Sequence, residues 1–153
     1  MIYAVARDNE IQHLSRTIRE RDAELLLELA AASLGSDEPN AKWQFAEELG
    51  RVASDSRRRE QLLLAFVRDE HEYVRRRALG AIARIASPAT EQVALEQWSR
   101  PGESQQWSRM MALWALHRVG SKQLQRFLDG AARNERPDLS EYAANVRRGE
   151  VDS

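Results

Sequence analysis

The stretch Asp69–Ser87, DEHEYVRRRALGAIARIAS, decides the fold, because it returns without gaps as Glu103–Ser121, ESQQWSRMMALWALHRVGS, 34 residues later. Self-similarity at a period of this size marks a chain built from stacked supersecondary units. The matches fall at helical spacing: Ala78, Leu79, Ala81, Ile82 and Ile85 correspond to Ala112, Leu113, Ala115, Leu116 and Val119. Recurrence at i, i+3, i+4 and i+7 is the buried stripe of an amphipathic helix. Arg75 falls on Arg109, Arg84 on Arg118, and Tyr73 on Trp107.

Outward from this pair, a third copy lies 33 residues upstream, where Ala41-Lys-Trp-Gln-Phe45-Ala46, Leu49 and Val52-Ala53-Ser54 keep the frame and set Arg51 opposite Arg84. A fourth, partial copy starts at Pro137-Asp-Leu-Ser140 and reads as a terminal cap. Between the copies lie the helices each needs in order to hide its stripe: Asp22–Ser33, Ser56–Arg68, Ala89–Ser99 and Ser121–Arg133. Gly35–Pro39, Ser54-Asp55-Ser56, Ser87-Pro88, Pro101-Gly102 and Asn134–Pro137 are the helix punctuation. The opening stretch Asn9–Glu20 is either a separate capping helix or continuous with the next one. No period-two alternation runs for a strand's length, so the class is all-α. The expected layout is one domain over 1–153, with an N-terminal cap at 1–21, repeats at 22–54, 55–87 and 88–121, and a partial repeat at 122–153.

Composition agrees with a folded, charge-coated helical chain: 153 residues, 42% hydrophobic and 31% charged, with seven Gly and four Pro. A formal charge of −1 supplies no global positive field toward nucleic acid or an anionic membrane. Lys42 and Lys122 are the only lysines, so arginine dominates the basic residues. Its planar fork suits carboxylates and phosphates, although GC-rich coding leaves the same bias. The absence of cysteine removes disulfides, thiolate zinc sites and a Cys nucleophile, and suits a reducing cytoplasm. The run Met1–Ala6 meets Arg7 and Asp8 too soon to be a signal-peptide core, and Leu25–Leu34 is interrupted by Glu28, so neither secretion nor a membrane span is expected.

The pattern Asp69-x4-Val74-Arg75-x2-Ala78-x2-Ala81-Ile82-x2-Ile85, repeated in Glu103, Ser108-Arg109, Ala112, Ala115-Leu116 and Val119, resembles the second-helix signature of HEAT and HEAT-like repeats. The copy at 37–53 departs from it, with Lys42 in the arginine place and Phe45 and Glu48 where alanines belong. The resemblance covers roughly residues 22–133 and implies a short right-handed α-solenoid of about four helical hairpins, each sealing its neighbour. It also implies a structural role for Asp69, Arg75 and Arg109.

In such solenoids the second helices line the concave face, so second-helix positions off the buried stripe are the candidates for recognition. They form rows across the copies: Trp43, Arg76, Met110; Glu47, Gly80, Trp114; Gly50, Ala83, His117; and Arg51, Arg84, Arg118. Trp43, Arg51, Arg76, Arg84, Met110, Trp114, His117 and Arg118 are the expected partner-binding residues. Trp, Met and Arg combine apolar contact with directional hydrogen bonding, and an acidic protein surface is their complement. The competing reading has the tryptophans filling space between hairpins and the arginines paired to carboxylates such as Glu47 or Glu48. Arg57-Arg58-Arg59 reads as solvated surface.

His13, His71 and His117 lack metal-ligand spacing, and no phosphate-cradling glycine loop, nucleophile elbow or H-E-x-x-H is present. The expectation is therefore a non-enzymatic, cytoplasmic protein-binding module with no cofactor, no metal and no membrane contact. Its partner is a protein, such as a toxin or an enzyme. Small stand-alone HEAT-like proteins are similar in fold to some bacterial immunity proteins, which cover a toxin's active site; that analogy supplies the narrower expectation. The alternative is nucleic acid, since some HEAT-like proteins are alkylpurine DNA glycosylases with a basic groove carrying Trp, Asp and Arg. No catalytic motif of theirs matches here, and the charge balance opposes phosphate binding.

Overall fold

The computed structural model describes residues 1–8, 10–53, 57–101, 105–134 and 136–151. Among the described residues every regular element is an α-helix: α1 Ile2–Arg7, α2 His13–Arg21, α3 Ala23–Ser33, α4 Pro39–Leu49, α5 Arg57–Phe66, α6 Glu72–Arg84, α7 Thr90–Ser99, α8 Gln105–Arg118, α9 Leu124–Ala132 and α10 Pro137–Arg148. The hairpins α3/α4, α5/α6, α7/α8 and α9/α10 are those the 33- and 34-residue registers predict. Ser54, Asp55, Ser56, Gly102, Glu103 and Glu135, read above as punctuation or repeat positions, lie outside the described residues. The chain divides into two compact units, Met1–Ile85 and Ala86–Ser153.

In the first unit, the open choice at the N-terminus is settled by Asp22. Its carboxylate accepts the Leu25 N–H at 2.9 Å, capping α3 and separating it from α2. Pro39 opens α4, where its missing N–H costs nothing. Every side chain of α4 from Ala41 to Leu49 is buried, because α1, α2, α3, α5 and α6 all pack on it. The helix α1, which the sequence reading passed over, supplies one of these covers, with Val5 and Ala6 fully buried. The Gln44 amide links the elements: it donates to the Val5 carbonyl at 2.8 Å and accepts from the Ser15 hydroxyl at 3.1 Å. Small residues set the α4–α6 approach. A Cβ on Gly50 would lie 2.8 Å from Cα of Ala81.

In the second unit, α8, α9 and α10 share a core of Leu113, Leu128, Ala131, Leu139, Ala143 and Val146, flanked by Trp98 and Phe127 in an edge contact with centroids 5.0 Å apart. The helix α8 ends at Gly120, whose φ of 63° lets the Ser121 N–H reach back to the Leu116 carbonyl at 2.9 Å. One period earlier Ala86 adopts φ 50° in the equivalent place. The turns that follow also repeat: the Ser87 and Ser121 hydroxyls accept the N–H two residues on, each at 3.1 Å.

Candidate protein-binding surface

The basic residue that recurs early in each second helix is engaged within the fold. Arg75 donates to the Asp69 and Glu70 carbonyls at 2.8 and 2.6 Å, and Arg109 donates to the Trp98 carbonyl at 3.2 Å with its guanidinium 5.1 Å from the Trp98 ring. Each thereby satisfies carbonyls at or beyond the end of the preceding helix, where a positive charge suits the dipole. Lys42, in the same register, instead donates to Asp69 at 2.9 Å with both side chains 7% exposed. Burial raises the Asp69 carboxyl's pKa, but the His71 backbone N–H, Lys42 and the His71 ring outweigh it and hold the carboxyl below its ordinary value.

The residues expected to recognise a partner divide sharply. Trp43 was placed on the surface, yet it is only 6% exposed, with its ring edge-on to Tyr73 at 5.3 Å and covered by Arg77 at 5.6 Å. The rows through Glu47 and Gly80, and through Gly50 and Ala83, are likewise inward in the first unit. One helix's periodicity finds the stripe facing its hairpin partner and misses the flanks that face α1, α2 and the neighbouring second helix. Arg51 donates to Glu47 at 2.7 Å and Glu48 at 3.1 Å; Arg77 also meets Glu47, and Arg19 also meets Glu48. Arg76 pairs with Glu72 at 3.1 Å and lies 4.8 Å from the Tyr73 ring. Arg84 is half-buried in the last turn of α6. In the run Arg57-Arg58-Arg59, Arg58 pairs with Glu24, and Arg59 is buried and donates to the Val52 carbonyl.

The second unit presents its residues differently. Met110 is half-buried against the α8/α9/α10 core. Trp114 is half-buried and Arg118, one turn later, stacks its guanidinium 5.5 Å from the indole centroid. His117 and Arg118 are exposed, and among the described residues no carboxylate lies within ion-pair distance of Arg118. Tyr73 was read from the sequence only as the counterpart of Trp107, and Arg77 and Glu91 were not singled out. The i, i+4 spacing of Tyr73 and Arg77 was a visible signal for the first two: the Tyr73 hydroxyl accepts from Arg77 at 2.6 Å.

No group of three His, Cys, Asp or Glu able to hold a metal occurs among the described residues. A family model described as HEAT repeats matches residues 59–146, more than half of the chain. The chain belongs to the HEAT repeat family. No curated protein and no solved structure matches it. HEAT repeats commonly serve as protein-interaction modules, and the match spans both the arginine-capped second helices α6 and α8 and the Trp114–Arg118 stack. Among the described residues no helix is long and apolar enough to cross a membrane.

Proposed function

We propose that this HEAT repeat chain is a non-enzymatic protein-binding module whose recognition surface centres on Trp114, His117 and Arg118. The observation that carries the reading is the contrast among the arginines. Arg51 and Arg76 have intramolecular carboxylates, whereas Arg118 holds an exposed guanidinium on an indole face with no carboxylate of the described residues beside it. A pre-positioned Arg over Trp presents a rigid donor fork beside an apolar plate, the pairing enriched at interface hot spots.

Co-purification from the native host followed by mass spectrometry identifies the partner, and the variant Arg118→Glu with Trp114→Ala tests the surface. Partner capture should fall at least about tenfold while the helical circular dichroism is unchanged. Equal capture by this variant would remove the assignment of the surface. The narrower form of the proposal is an immunity protein that neutralises a cognate toxin, and an adjacent toxin gene whose product binds the chain is the result expected of it. An isolated gene counts against that narrower form and leaves the broader one standing.

A further inference from the structure

The second unit contains a cavity of about 480 Å³ between the start of α7 and the end of α8, bordered by Ala86, Ser87, Pro88, Thr90, Glu91, Arg118 and Val119. Its charged rim is the informative part. Glu91 is fixed by the Gln123 side-chain amide at 2.8 Å, and hydrogen bonds from Ser121 and Gln123 hold its carboxyl below the ordinary value, so it is ionised at neutral pH. These donors are neutral, and among the described residues no cation pairs with it. A carboxylate offers about four acceptor sites, so two hydrogen bonds leave it room to accept more. Arg118 borders the same cavity, held from behind by Trp114, and among the described residues no carboxylate pairs with it.

Two opposite charges on one cavity, each oriented by a neutral neighbour and neither ion-paired among the described residues, are complementary to a ligand with the reverse pair. We propose that this cavity is the anchoring subsite of the protein partner, taking a segment that carries one acidic and one basic side chain: the acid meets the Arg118 fork and the base meets Glu91. The inference rests on the protein-binding reading and names the chemistry of the partner. Electrostatic complementarity of this kind sets register and rejects like-charged alternatives. The repeated turn chemistry builds the cavity: the Ser87 turn forms one wall, and the Ser121 turn brings Gln123 to Glu91.

The test uses the full-length chain labelled with ¹⁵N and two blocked peptides, acetyl-Ala-Asp-Ala-Lys-Ala-amide and its neutral analogue with Asn and Gln. The charged peptide should shift the Trp114 indole N–H and Gln123 side-chain signals saturably, and the neutral one should bind at least about tenfold more weakly. Arg118→Gln and Glu91→Gln, which keep the helices and the Gln123 contact, should each reduce the charged peptide's affinity by about tenfold. Equal binding of both peptides, shifts confined to other residues, or indifference to both variants overturns the subsite. If the native chain captures its host partner and the two variants capture it equally well, this subsite is wrong while the protein-binding reading stands. If the native chain captures no protein, the reading itself fails.

Discussion

Lys42 and Asp69 form a nearly dry ion pair, and what such a pair contributes depends on which partner is removed. Lys42→Met leaves the Asp69 carboxylate buried with only its His71 hydrogen bonds and without its cation, so chemical denaturation should show a loss of about 3 kcal/mol. The double variant with Asp69→Asn should recover part of it. The same carboxylate makes stability depend on pH. Its folded pKa lies below the unfolded value of about 3.9, so its contribution is complete above that value and is lost as pH falls through the lower folded one. Midpoints measured across this acidic window should fall less in Asp69→Asn than in the native chain. Ala86 offers the opposite lesson, since it holds a left-handed conformation where the next copy has Gly120. A non-glycine residue there costs about 1–2 kcal/mol, and glycine returns about 0.5–1 kcal/mol of that as unfolded-state entropy. Ala86→Gly should therefore stabilise the protein by about 0.5 kcal/mol, seen as a raised unfolding midpoint.

Among the elements, α4 and α6 depend on small residues at their contact. Gly50 has φ −66°, a conformation any residue adopts, so its glycine is required by space and not by backbone freedom. In Gly50→Ala the new Cβ meets the Ala81 backbone, which cannot rotate away, and the two helices must separate. The expected cost is about 1–3 kcal/mol by thermal or chemical unfolding, with the helical signal retained before the transition. The short α1 shows what periodicity does not reveal. Six residues are too few to display an amphipathic period, and its burial comes from lying on α4, which is read only after the fold has formed.

For the molecule as a whole, charge bounds what it can meet. Acidic and basic residues nearly cancel, and Arg51, Arg58, Arg75, Arg76 and Arg109 are engaged within the fold by Glu24, Glu47, Glu48, Glu72 and backbone carbonyls. With a formal charge of −1 the chain offers no net positive field to a polyphosphate. A gel shift at about 50 mM salt should show no retained DNA or RNA, and retention that fell steeply with added salt would contradict this.

Sequence alone determined the all-helical class, the hairpin pairing and the register of Lys42, Arg75 and Arg109. Each follows from local information: apolar spacing within one helix, punctuation between helices, and a period that copies both. The structural role of Asp69, Arg75 and Arg109 was implied by the resemblance to HEAT repeats, whose signature those positions match. Tertiary structure decided the surface. It buried Trp43 against Tyr73, committed Arg51 and Arg76 to carboxylates, and left Arg118 on Trp114 with none among the described residues. It also joined Glu91 and Arg118 at one cavity. A single helix carries no record of what its neighbours cover, so exposure and ion pairing, which separate a binding residue from a packing one, arise only when the helices stack.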